Sequence, residues 1–202
     1  MTELPPAPGR IIYLNGASSA GKTSIARELQ RVLEEPHLLL GIDTFIRMLP
    51  QSLFGSADGW RFVPAGEGAL RAERGPRADR VFGAMYAAVA VLSGSGNHVI
   101  FDDVMTSPEM LRRLVEAWHG HDVLLVGVRC PVEVAEARER ARGDRAIGLA
   151  RGSSALVHQH LEYDIEVDSG TLSVTACANE IATFLESQPP RAFARLRERP
   201  LS

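Results

Sequence analysis

Short apolar runs punctuate this chain at Ile11-Ile12-Tyr13-Leu14, His37 to Ile42, Val99-Ile100-Phe101 and Val123 to Val128, and a fifth segment, Tyr163 to Asp168, alternates apolar with polar. Runs of this length read as strands, the continuous ones buried on both faces. Between them the period lengthens to that of a helix. Ile25, Ala26, Leu29, Val32 and Leu33 follow the first run, and Val81, Phe82, Met85, Tyr86, Val89 and Leu92 precede the third. Leu111, Leu114, Val115 and Trp118 follow it, a helix opens at Pro131 after the fourth run, and Val174, Cys177, Ile181 and Leu185 follow the fifth. The stops agree: Glu34-Glu35-Pro36 ends the first helix, Ser93 to Asn97 the second, and Ser107-Pro108-Glu109 opens the third with a cap, a proline and an acid. Strands alternating with helices predict an α/β fold with a five-stranded parallel sheet and right-handed crossovers. The second helix is expected from about Leu70, and residues 50–68 are expected to be a loop. Residues 1–9 read as a disordered lead-in, 10–187 as one domain, and 188–202 as a basic C-terminal extension, exposed or loosely docked.

The first strand runs into Gly16-Ala17-Ser18-Ser19-Ala20-Gly21-Lys22-Thr23-Ser24. Two glycines bracketing a short loop before Lys-Thr form a P-loop. Its backbone N–H groups would curl around a phosphate, and the helix dipole would reinforce them. Lys22 would reach the β- and γ-phosphates of ATP, and the Thr23 hydroxyl would ligate Mg²⁺. Lys22 is the only lysine in the chain. The third strand ends in Asp102-Asp103, the pattern of an acid that holds Mg²⁺, and either residue could serve. Asp43 closes the second strand, where ligands of open parallel sheets bind. It is a candidate general base, a helix N-cap, or both.

The segment Arg138 to Arg145 carries Arg138, Arg140, Arg142 and Arg145 after the fourth strand, with Gly143 and Gly148 as hinges, and reads as a helical lid spanning about 138–150. Its arginines would neutralise a transferring phosphoryl group; a solvated, salt-bridged helix end is the competing reading. Phe54, Trp60 and Phe62 make the 50–68 loop a candidate binding lid. Arg71, Arg74, Arg77 and Arg80 read as a solvated helix face. His158 and His160, placed on a helix, and His119 and His121 lack the further ligands zinc would need.

Composition narrows the partners. The chain of 202 residues has a net charge of −3, which gives no reason to expect nucleic acid or a membrane surface. Cys130 and Cys177 are far apart and fit a reducing compartment, and no signal or spanning segment is seen, so the expected location is cytoplasmic. A homo-oligomer is compatible with the sequence.

With these residues placed, the chain resembles the chloramphenicol phosphotransferases, a family of small P-loop kinases, from Ile11 to about Ser169. The resemblance rests on Leu14 to Lys22, Gly41-Ile42-Asp43, Ile100 to Val104, Val126 to Cys130, Ala141-Arg142-Gly143-Asp144-Arg145 and Glu162 to Asp168. It implies a three-layer P-loop NTPase fold with sheet order 2-3-1-4-5, and ATP-dependent phosphorylation of a primary hydroxyl on chloramphenicol or a related antibiotic. It matches Asp43 to the general base, Lys22 and Thr23 to phosphate and Mg²⁺ residues, and Arg142 and Arg145 to lid arginines. Arg47 stands where an acid is expected, and the 51–80 segment and the C-terminal tail depart from the family, so a metabolic, anionic acceptor is the alternative. A nucleotide-dependent regulatory NTPase is a third reading. The expected acceptor site comprises Asp43, Arg47, Met48, Leu49, Phe54, Phe62, Val104 and Met105.

Overall fold

The computed structural model describes residues 7–143 and 146–199. In chain order the elements are β1 (Ile11–Gly16), α1 (Lys22–Val32), β2 (His37–Gly41), α2 (Ile42–Arg47), β3 (Trp60–Pro64), β4 (Leu70–Arg74), α3 (Pro76–Gly94), β5 (His98–Asp103), α4 (Pro108–Ala117), β6 (Val123–Arg129), α5 (Val132–Arg142), α6 (Leu149–Ser154), β7 (Ile165–Asp168), α7 (Val174–Ser187) and α8 (Ala192–Arg197). The main sheet has five strands in the order β2-β5-β1-β6-β7, all parallel. Counted among the main-sheet strands alone, this is the expected order 2-3-1-4-5.

Successive residues of a strand point to opposite faces, so β1 supplies two cores. Ile11 and Tyr13 pack with Phe101 and Leu125 under α3, α4 and α8. Ile12 and Leu14 pack with Ile100, Leu124 and Val126 under α1 and α7. That double burial is why these strands are continuously apolar. The two faces together form a three-layer sandwich whose strand C-termini all open on one edge.

Three expectations give way. Residues 60–74 form an antiparallel hairpin, β3–β4, in place of a loop and a helix start. Its turn uses Gly66 and Gly68 at positive φ, and the cross-strand pair Arg61–Glu73 sits at 2.7 Å. Pro76 at the first position of α3 fixes the helix start, with Gly75 extended before it, so Arg71 and Arg74 lie on β4. The C-terminal extension is docked: Ala192, Phe193 and Leu196 of α8 are buried in the core, and Asp164 accepts the N–H groups of Arg191 and Ala192. His158 and His160 lie on turns after α6. Among the described residues, no helix is long and apolar enough to cross a membrane.

Candidate active site

The loop between β1 and α1 is built as a cradle. Gly16 leaves no room for a side chain, since a Cβ there would stand 2.6 Å from the Val128 carbonyl oxygen. Ser19 and Gly21 both adopt positive φ, at 61° and 88°, which turns the backbone back on itself. Lys22 is buried, and its Nζ donates to the Gly16 and Ala17 carbonyls at 2.9 and 2.8 Å. The Ser19 hydroxyl is buried with no hydrogen-bond partner, and Ser24 is exposed on the first turn of α1. An unfilled buried hydroxyl within a curled, lysine-backed loop fits a phosphate.

The two acids at the end of β5 are divided by the pleat of the strand. Asp102 Oδ2 accepts from Thr23 Oγ1 at 2.7 Å, beside the cradle. A hydroxyl and a carboxylate so placed form a hard oxygen donor set suited to Mg²⁺. Asp103 points to the opposite face and is fully buried. It accepts from Tyr13 Oη at 3.0 Å, from Tyr86 Oη at 2.6 Å and from the Val104 N–H at 2.7 Å. Burial pushes its carboxyl above the ordinary range, and burial also raises both tyrosines. Of the two acids the sequence left open as metal ligand, Asp103 therefore faces away from the cradle and serves as a buried acceptor between β1, the middle of α3 and the end of β5.

Asp43 sits in the first turn of α2, with Gly41 rather than Asp43 at the cap position. Gly41 pairs in register with Asp102, and a Cβ there would meet the Asp102 carboxylate at 2.7 Å. Asp43 thus follows closely on the Thr23–Asp102 pair. A cavity of about 910 Å³ opens from this point. Ser18, Asp43 and Arg142 all line it, so the loop, the candidate base and one lid arginine meet in one space. Arg145 lies outside the described residues. Arg47, Phe54, Phe62 and Val104 line the same cavity. Met48, Leu49 and Met105 do not: Met48 is 66% exposed, while Leu49 and Met105 are buried in the core.

The segment read as a candidate lid begins at a glycine stop. Gly143 ends α5 in the left-handed region and Gly148 precedes α6 in the same region. Glu139, wholly buried, accepts the N–H groups of Gly148 and Ala150 at 2.7 and 2.8 Å and so ties the start of α6 to α5. In turn, α6 aims Ser153 at the cradle, where its Oγ receives the Ser18 N–H at 3.0 Å.

The sequence is matched by the chloramphenicol phosphotransferase-like family model over residues 9–186. The chain belongs to that family. A Mycobacterium tuberculosis protein that carries the name of an O-phosphotransferase is 36% identical over 203 residues, which cover 96% of this chain and 90% of the relative. The chain is accordingly a phosphotransferase of the kinase type. Its fold is shared with the APS kinase CysC of M. tuberculosis, solved with AMPPNP and APS, at a TM-score of 0.65 and 18% identity, covering 90% of this chain and 100% of that one. It is shared also with a gluconokinase of Sinorhizobium meliloti, at a TM-score of 0.57 and 16% identity, covering 96% and 95%.

Ser153 and Asn15 stand at the site beyond the sequence reading, and Arg138, read there only as one arginine of the run, has a bracing role. Arg138 donates to the Ser169 carbonyl at 2.7 Å, and Ser169 Oγ donates to Ala20 O at 2.7 Å, which braces the C-terminal half of the cradle. Its place in a run of arginines was visible, but its partner was not. Asn15 sits wholly buried beneath the loop; its amide nitrogen donates to the Val157 carbonyl and to Tyr163 Oη, and its oxygen accepts the Met105 N–H. His158 Nδ1 lies 2.7 Å from Tyr163 Oη at the edge of this network.

Burial, with a smaller contribution from Arg129, lowers the His158 pKa to about 4. The native state therefore holds this ring neutral where an unfolded chain would protonate it. Protons bind the unfolded state in excess below the ordinary imidazole value of about 6.5, so stability falls as pH drops from there toward 4. His158→Gln is expected to flatten that part of the curve, as read by denaturant unfolding at a series of pH values. An identical slope in both proteins would remove His158 as the cause.

Proposed function

We propose that this chain transfers the γ-phosphoryl group of ATP to a hydroxyl of a small organic molecule, with Asp43 as general base. The observation that supports it is the meeting of Ser18, Asp43 and Arg142 in one cavity lined by Phe54, Trp60 and Phe62. The acceptor hydroxyl gives its proton to Asp43 as its oxygen attacks the γ-phosphorus in line, and the bond to the β–γ bridging oxygen breaks. Lys22 and the backbone of residues 16–23 hold the phosphates, while Arg142, with Arg145, stabilises the charge spread over the transferring group. Thr23 and Asp102 are the residues that would hold Mg²⁺, which when bound neutralises phosphate charge. Glu139 and Ser153 position the lid against the cradle.

Chloramphenicol and related aromatic alcohols are the first acceptors of this reading, with antibiotic inactivation as the consequence. The experiment is ATP consumption with and without chloramphenicol, the product being weighed by mass spectrometry for one added phosphoryl group. Chloramphenicol-dependent turnover with that product establishes both reaction and acceptor. Its absence while ATP binds redirects the search to other hydroxyl compounds. A metabolic, anionic acceptor is the second reading, and the arginines of the cavity favour it.

A further inference from the structure

Among the described residues, the proposed acceptor cavity is lined by five arginines, Arg47, Arg61, Arg71, Arg74 and Arg142, and three acids, Asp43, Glu73 and Asp79. Two of those acids are already engaged. Glu73 binds Arg61 at 2.7 Å and Arg71 at 2.6 Å. Asp79 takes both arms of Arg113, from α4, at 2.8 and 3.1 Å. Arg113, and to a smaller extent Arg74, hold the Asp79 carboxyl below the usual carboxylate range, yet Arg74 makes no hydrogen bond or close ion pair with either acid. It is half-buried, its guanidinium lies over the Phe82 ring at 5.4 Å, and among the described residues it makes no hydrogen bond or ion pair. Arg47, exposed and one helical turn beyond Asp43 on α2, shares that residue's face and likewise makes no hydrogen bond or ion pair among the described residues.

A third unfilled donor stands beside Arg74. Trp60 is its direct cross-strand partner on the hairpin, which places the two side chains on one face. Trp60 stacks on the same Phe82 ring, at 5.0 Å between centroids. It is 6% exposed, and its indole N–H is buried with no hydrogen-bond partner. A buried donor and a partly desolvated guanidinium without an acceptor are both costly to leave unmet. Here they adjoin on one ring, in a cavity that also holds Arg47. The loop that cradles phosphate enters this cavity only through Ser18, so these donors serve the acceptor side.

We infer that the acceptor carries an oxyanion, bound by Arg74 and Trp60 of the hairpin together with Arg47 of α2, while its hydroxyl is presented to Asp43. This rests on the phosphotransferase reading and narrows its substrate class to hydroxyl compounds that join an apolar or aromatic body to a carboxylate, a phosphate or a sulfate. It gives the β3–β4 hairpin, which lies within the matched span, a specific task. Hydrogen bonds between a guanidinium and an oxyanion are charge-assisted and planar, which is why arginine suits the position.

The test uses the full chain and three probes of increasing reach, hydroxymethyl-benzoate, -phenylacetate and -phenylpropionate, each beside its neutral primary amide; hydroxymethylphenyl phosphate separates phosphate from carboxylate preference. Titration calorimetry is expected to show at least one anion binding about tenfold or more tighter than its neutral counterpart. Arg74→Gln and Arg47→Gln should each erode that preference, and Arg74→Lys should restore part of it, which a merely unfolded variant would not do. Amides that bind as tightly as their acids throughout, or a preference that survives both glutamine variants, would overturn the inference. The parent reading fails differently. Selective anion binding with no phosphoryl transfer from ATP supports the oxyanion subsite and removes the kinase assignment of this acceptor class. Transfer to neutral acceptors, chloramphenicol included, at the same kcat/KM as to the acids keeps the kinase and overturns the subsite.

Discussion

Asp43→Asn is expected to lower phosphoryl transfer by about a hundredfold or more while leaving ATP affinity nearly intact. The amide keeps the size of the carboxylate and its place in the first turn of α2, but it cannot take the acceptor's proton. Under the proposed mechanism nucleotide affinity belongs to other groups: the curled loop, Lys22 drawn against the Gly16 and Ala17 carbonyls, and the Thr23–Asp102 pair. The two readouts should therefore separate, with steady-state ADP release falling and the dissociation constant for AMPPNP holding. Turnover equal to the parent would remove Asp43 from the mechanism. A parallel loss of nucleotide affinity would mean that Asp43 acts by supporting the cradle across the Gly41–Asp102 contact, where a Cβ on Gly41 would come within 2.7 Å of the Asp102 carboxylate.

What could be read from the sequence was local. A P-loop is made by adjacent residues, so Gly16, Gly21, Lys22 and Thr23 announced it without tertiary information. The strand order followed from the family resemblance, and the double burial of β1 explains why its residues are all apolar. The hairpin was hidden because arginines at every third position imitate a helix face, while the pairing of Trp60 with Arg74 is a contact across the turn. The Gly75-Pro76 pair carried the correct boundary and outweighed that periodicity. Met48 and Met105 were adjacent in sequence to site residues and yet face away: one step along an element turns a side chain from the cavity to the solvent or the core. The tail reads as polar and basic because only Ala192, Phe193 and Leu196 of α8 meet the core, a stripe too short to stand out among its arginines.

The same one-residue step separates Asp102 from Asp103 and yields the largest expected effect on stability. Asp103→Ala should cost about 3 kcal/mol or more, because three donors, the hydroxyls of Tyr13 and Tyr86 and the Val104 N–H, lose their acceptor inside the core. Asp103→Asn should cost less, since it retains one acceptor oxygen while its NH₂ must face a donor. The pH dependence has a definite sign. Burial raises the native pKa of Asp103 above the ordinary 3.8, so the native state holds its proton more firmly than the unfolded chain. This group's contribution to stability therefore falls as pH climbs from about 4 toward the raised value and is level beyond it. Subtracting the Asp103→Asn stability curve from that of the parent should display that decline; a flat difference would mean that the three donors fully offset burial. The chemistry should respond in the opposite sense. Where Asp103→Asn remains folded its turnover should persist, whereas Asp102→Asn should lose turnover with little change in melting temperature, because its carboxylate meets Thr23 at the cradle rather than the tyrosines of the core. If the two substitutions exchanged their effects, the division of labour drawn from the pleat of β5 would be wrong, and Mg²⁺ would have to be sought on the other face of the strand.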